Sequence, residues 1–442
     1  MNRRSSSREE VEMLEIKRAG LAGVATGALV LAATGVAHAQ SGDYYSRDKY
    51  ESVTDRNQPE FDPEPIRLGA LTVNSNAHAG LGYTSNALGT STDEESDTIA
   101  EVGANLSART NWSVHEVGVD VSAVHQEYQD YGDQSFTNLN GRLRGRIDVT
   151  REFSFGGAAF YQKSTDRYSD PSNTSGLGEP IEFTRTGFDV NANYSNDRIR
   201  WANVLTIAEV DYDDASTITG VPIDQDFRDR TDNRFYSRLS YALTPNLAIF
   251  GQGVLDQREY DNNVIVDGVA RSRDSDTYTL SGGVDFELNS LVRGDIAIGF
   301  LSQEMDDAFF EDNDGLAVDA NVEWFPTRLT TVSFNGGRRT VDSGVVNTAS
   351  SVQTNFGVRV DHELYRNIIL SGYGNIENYE YDEVDRDEDV TDFGVIGTYK
   401  MNKRVHLNAF ARHVERERDG SAVVGNQDYS ADLLGISVRV FP

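Results

Sequence analysis

From residue 69 to the end of the chain, apolar and polar side chains alternate with a period of two, in eighteen separate segments. The stretch from Asn138 to Val149 is the clearest. Leu139, Gly141, Leu143, Gly145, Ile147 and Val149 fall on one face, and Asn138, Asn140, Arg142, Arg144, Arg146 and Asp148 on the other. Period two is the signature of a β-strand whose two faces meet different surroundings. Phe188, Val190, Ala192 and Tyr194 oppose Asp189, Asn191 and Asn193 in the same way, and Val318, Ala320, Val322 and Trp324 oppose Asp319, Asn321 and Glu323. The segments are about 12 to 16 residues long, against about five or six in a soluble sheet. Roughly 9–11 residues suffice for a tilted strand to cross a bilayer.

The connections between segments alternate in length. Tight turns are expected near Asn111, Arg151, Asn196, Pro245, Asn289, Pro326, Asn367 and Asn402, with mostly longer acidic loops between them, such as 224–229 and 382–389. Tight turn, long loop, tight turn is the connectivity of an up-and-down antiparallel barrel in an outer membrane. The prolines agree, because none is expected inside a strand ladder. Trp112, Trp201 and Trp324 lie beside tight turns. Tyr128, Tyr131, Tyr212, Tyr260, Tyr278, Tyr379, Tyr381 and Tyr429 lie near the long loops. Two aromatic belts, one at each membrane interface, are expected from that distribution.

Composition then falls into place. The hydrophobic fraction is 38%, low for a chain of 442 residues with a buried apolar core, but a barrel with a wet interior needs apolar residues only toward lipid. Aromatics at 10% argue against a disordered chain. A formal charge of −31 repels phosphate and argues against nucleic acid as a partner. There is no cysteine, so disulfides, thiolate nucleophiles and cysteine zinc sites are excluded. The hairpin period of about 41 residues overlaps that of a propeller blade, but a blade holds four short strands rather than two long ones.

The first 39 residues read as a secretory signal. Lys17 and Arg18 precede an apolar run from Ala19 to Val36, and Ala37-His38-Ala39 is a small-x-small cleavage site. Met13 is a candidate start. Residues 40–66 are polar, carry Pro59, Pro63 and Pro65 and show no periodicity, so they are expected to form a flexible periplasmic arm. Residues 67–442 form the barrel.

Arg67-Leu68-Gly69, a strand, and then Gly82-Tyr83-Thr84-Ser85-Asn86 resemble the opening of the putative β-barrel porin family of bacterial outer-membrane proteins. The resemblance implies a barrel in contact with outer-membrane lipid and lipopolysaccharide, inserted by the barrel-assembly machinery. It carries over no catalytic residue. Outer-membrane barrels tend to end in an aromatic residue, whereas here Phe441 is penultimate and lies on the parity opposite to Leu434, Ile436, Val438 and Val440.

No catalytic, cofactor or metal constellation is legible. His78, His115, His125, His362, His406 and His413 sit in no recognisable triad. Glu311 to Gly315 is similar to a calcium loop but lacks its first and terminal ligands. The inner face carries the chemical content. Arg142, Arg144 and Arg146 form a column, Arg359 is a further inward base, and Glu116, Asp120, Asp189, Asp285, Glu287, Asp319 and Glu323 are inward acids. Opposed rows of charge would set a transverse field across a pore and favour hydrated solutes. Alternatively, the same charges pair with each other. Barrels of about 16–18 strands leave an aqueous channel, so passive diffusion of small hydrophilic solutes is the expected function. An accessory role in exopolysaccharide export and a structural barrel with cation-binding acidic loops are the alternatives.

Overall fold

The computed structural model describes residues 51–166, 177–345, 348–381, 383–420 and 428–442. The signal segment with Ala37 and Ala39, and the first part of the arm, lie outside the described residues. Eighteen long strands follow one another. The first six are β1 Leu71–Thr84, β2 Asp97–Thr110, β3 His115–Tyr128, β4 Phe136–Asp148, β5 Phe153–Thr165 and β6 Glu182–Ser195. Next come β7 Ile199–Tyr212, β8 Arg230–Thr244, β9 Leu247–Tyr260, β10 Ser275–Leu288, β11 Val292–Met305 and β12 Asn313–Thr327. The last six are β13 Thr330–Asp342, β14 Ser350–Tyr365, β15 Ile368–Tyr381, β16 Arg386–Asn402, β17 Val405–Asp419 and β18 Tyr429–Val440.

Each strand pairs antiparallel with the next, and β1 pairs with β18 from Ala77↔Val440 to Thr84↔Leu433. The sheet therefore closes on itself. Closure is what a strand-built wall needs in lipid, where an open edge would leave N–H and C=O groups without partners. Below Ala77 the wall is continued by Ile66–Leu68, which folds back on Leu71–Val73. No helix among the described residues is long and apolar enough to cross a membrane.

The alternation sorts side chains as its period requires. Phe300 is 77% exposed and Leu280 72% on the outside, while Asp285 is 4% exposed and Gln303 1% on the inside. Leu81, Ile298, Val395 and Ile436 extend the outer apolar band around the wall. Such a surface is stable only against lipid. Turn chemistry fits the hairpins. Asp267 and Gly268 have φ of 51° and 78°, the left-handed pair that a two-residue hairpin turn demands, and Asn289 and Ser290, with φ of 51° and 55°, supply the same pair in the three-residue connection between Leu288 and Val292. Pro326 lies in the last turn of β12, where the register slips between Trp324 and Thr327 and its missing N–H breaks no ladder bond.

Two expectations need correction. Trp112, Trp201 and Trp324 are exposed on the outer surface at the tight-turn end, but the tyrosines do not form a matching belt. Of those eight tyrosines only Tyr278 is an exposed outward residue, whereas Tyr212, Tyr379, Tyr381 and Tyr429 are buried. Their parity is inward, and they anchor packed clusters beneath the loops: Tyr379, Tyr381 and Tyr429 with Val390 and Val414, and Tyr212 with Leu177, Ile181 and Val210.

The arm is the second correction. Residues 51–64 are not a loose tether but lie in the mouth at the tight-turn end. Val53 is 1% exposed and its N–H donates to Thr331 Oγ1 at 2.9 Å. Arg56 pairs with Glu363 at 2.8 Å, Lys400 donates to Gln58 Oε1 at 2.9 Å, and His406 Nε2 meets the Phe61 carbonyl at 3.0 Å. The segment lacks periodicity because it is held by charges on the barrel wall rather than by a sheet.

Candidate functional site

The inner surface is a lattice of ion pairs. The arginine column of β4 meets acids on β3, on β6 and on β4 itself. Arg142 pairs with Asp189, whose other oxygen accepts from Thr206 Oγ1 at 2.7 Å. Arg144 pairs with Asp120 and reaches Glu116 at 3.4 Å. Arg146 lies 3.1 Å from Asp148 and 3.7 Å from Glu116. The acids thus lie along the wall rather than across the lumen: the register sets Asp120 opposite Arg142 and Glu116 opposite Arg146, and Arg144 reaches diagonally to both acids.

The remaining residues singled out from the sequence lie elsewhere on the wall. Arg359 holds Asp361 through Nε at 3.0 Å and Ser371 through Nη2 at 3.1 Å. Glu323 pairs with Arg293, and Glu287 stands opposite Arg293 in the ladder. Asp285 is buried on the same face. Asp319 accepts from Asn321 Nδ2 at 3.1 Å. Arg238, on β8, lies 3.5 Å above the Phe250 ring and 3.4 Å from Asp295. Gly283 lies against the edge of that ring: a Cβ there would come within 2.3 Å of Phe250 Cζ and of the Ile296 carbonyl, so only glycine fits.

At the loop end Asp342 is a hub. Arg228, Arg230 and Arg273 approach it at 3.4, 3.6 and 3.6 Å, and the Tyr260 hydroxyl donates to it at 2.8 Å. Arg228 also reaches Asp166 at 3.0 Å and stacks on Tyr212 at 3.8 Å. Burial opposes the charge on Arg228, but Tyr212, Asp166 and Asp342 outweigh it and hold its pKa above the usual range. Nearby, burial and the acids Asp211, Asp226 and Asp261 push Asp229 up to about 6, although the Tyr212 N–H donates to it at 2.7 Å. Asp214, Asp224 and Asp226 bring carboxylate oxygens within 4.8 Å of one another. All three are exposed, and Asp214 and Asp224 accept loop N–H groups at 3.0 Å, which accounts for their arrangement without an ion.

Between the arm and the Asp342 hub the interior holds a chamber of about 430 Å³. Arg185, Arg230, Arg234, Arg258 and Arg339 line it, with Asp232, Asp256 and Asp319. Of the charged residues assigned to the inner face from the sequence, only Asp319 borders this chamber. The arginines were missed although a signal existed: Arg230, Arg234 and Arg238 recur on the inward parity of β8 as regularly as the column on β4.

A closed, wet-walled barrel with an apolar outer band is a β-barrel of the outer-membrane type. The chain belongs to the family described as Putative beta-barrel porin 2, whose model matches residues 58–441. The match begins inside the segment that fills the mouth. No curated protein matches the sequence. Solved structures of similar shape include the copper transporter OprC, 11% identical with a TM-score of 0.48, covering 86% of this chain and 82% of that one. OccK1 of Pseudomonas aeruginosa is 10% identical with a TM-score of 0.45, covering 84% of this chain and 99% of its own. OccAB3 of Acinetobacter baumannii is 12% identical with a TM-score of 0.45 over the same shares. Family and fold are those of an outer-membrane channel rather than an enzyme.

Proposed function

We propose that the protein is a porin-like channel for passive passage of small hydrophilic solutes, exported through cleavage after Ala39 and seated in the outer membrane by its apolar band. One observation carries this reading: the interior of the closed wall is polar and charged along its length and encloses a chamber of about 430 Å³. A barrel serving only as a scaffold has no need of that volume. The residues named from the sequence then line the path as paired charges that keep it wet while cancelling much of its field. Conductance of the purified protein in a planar bilayer tests the reading, and a silent bilayer refutes it.

One observation favours a second reading, a non-conducting surface barrel. The arm fills part of one mouth, and at the other Val264, Val266, Phe310 and Ala349 pack loops together. The same bilayer experiment separates the two.

A further inference from the structure

The chamber holds more positive charge than its own acids neutralise. Five aspartates border it, and each is already engaged. Asp166 and Asp342 hold Arg228, Asp232 lies 3.1 Å from Arg230, Asp256 lies 3.7 Å from Arg234, and Asp319 accepts from Asn321. Arg185, Arg258 and Arg339 enter from β6, β9 and β13, and no carboxylate of the described residues forms a salt bridge with any of them. Arg185 rests on the Phe160 ring at 5.0 Å, Arg339 donates to Gln353 Oε1 at 2.9 Å, and Arg258 donates to the Thr340 carbonyl at 3.4 Å. Arg258 Nη1 is buried with no hydrogen-bond partner.

Guanidinium groups crowded together in a half-buried space repel one another unless an anion joins them. A carboxylate suits this arrangement, because its two oxygens accept the paired N–H groups of a guanidinium fork. The rest of the lining narrows the ligand. Gln252, Thr279, Asn335 and Asn355 offer neutral donors and acceptors around the arginines, as a hydroxylated body would require. The volume lies within the roughly 300–1,000 Å³ of small-molecule sites and far exceeds what an inorganic oxyanion fills. We propose that the chamber binds a small hydroxylated organic acid of the sugar-acid class, its carboxylate held by Arg185, Arg258 and Arg339.

The proposal rests on the channel reading only for the ligand's way in. The test therefore uses two measurements with sodium glucuronate, glucose and inorganic phosphate as probes. One is block of the current in a planar bilayer, and the other is calorimetric titration of the purified barrel in detergent. Glucuronate is expected to block and to bind, glucose to do neither, and phosphate to be at least tenfold weaker. In the double variant Arg258→Gln, Arg339→Gln the half-saturating glucuronate concentration should rise at least tenfold, folding being checked by heat-modifiable migration. Should that variant misfold, Arg339→Lys keeps the charge but loses the fork, and should weaken glucuronate severalfold. Binding of glucose or phosphate equal to that of glucuronate, or variants that bind like the parent, overturn the proposal. Titration without conductance upholds the site and removes the channel. Conductance without titration does the reverse.

Discussion

Lys400 Nζ and Asp62 Oδ1 lie 2.9 Å apart, although Asp62 precedes the first strand and Lys400 belongs to β16. The ion pair pins the arm across the tight-turn mouth, and both partners are largely buried, so little water screens it.

Removal of residues 51–64 should therefore raise single-channel conductance while leaving the barrel folded, since no ladder bond of the eighteen strands depends on that segment. Lys400→Met should leave the arm in place but loosen it, producing flickering between two current levels. A deletion that conducts like the parent would show that the arm lies off the ion path.

The arginine column carries a second prediction. Replacing Arg142, Arg144 and Arg146 by serine leaves Asp189, Glu116 and Asp120 without their bases. Cation preference should increase, and the effect should fade in high salt as the Debye length falls below about 8 Å. Reversal potentials across a salt gradient measure it, and an unchanged potential would place the column away from the conduction path.

The two faces of β6 can be tested against each other. Val190 is on the lipid side, and Val190→Arg should cost about 2–4 kcal/mol near the bilayer midplane. Asn191→Arg points inward and should fold normally. Equal loss of heat-modifiable protein in the two variants would contradict the assigned parity.

Orientation follows from the unequal connections. A tag inserted at Asp267, in the hairpin Val264–Val266 to Val269–Arg271, should be reached by antibody on intact cells. A tag at Asn289, in the tight turn between β10 and β11, should be reached only after the outer membrane is opened. The opposite labelling would invert the barrel.

Asp229 gives the loops a pH dependence. Its folded pKa of about 6 lies above the ordinary value of 3.8, so the folded state disfavours its charge. The favourable contribution is complete below the ordinary value and is lost as pH rises through about 6. Loop cleavage by added protease should be slower at pH 5 than expected from the change in protease activity alone, and faster at pH 7.5. Asp229→Asn, which keeps an acceptor for the Tyr212 N–H, should abolish the difference. Retention of the difference in that variant would assign it to another group.

The strands were legible because lipid on one side and water on the other write themselves into successive residues. β4 could be read from Leu139, Leu143 and Ile147 against the arginines alone. Position along a strand was less telling than parity. Tyr212 lies near a loop, as a belt residue would, yet it shares the inward parity of Ala208 and Val210. The chamber arginines come from strands far apart in sequence, and only the closed wall brings Arg185, Arg258 and Arg339 to one space. The docking of residues 51–64 left no pattern at all, since single ion pairs such as Arg56 with Glu363 impose no period.

The closing seam has a mechanical consequence. β1 and β2 share fourteen residue pairs, but β1 and β18 share only the eight from Ala77↔Val440 to Thr84↔Leu433, a number matched by β12 and β13, which a tight turn also ties together covalently. Below them the short return of Ile66–Leu68 holds the edge with three. Lateral tension in the bilayer loads every junction around the ring alike, so the wall should part first where the ends of the chain meet. The line where the two ends of the chain meet is thus the line along which the finished cylinder would unzip.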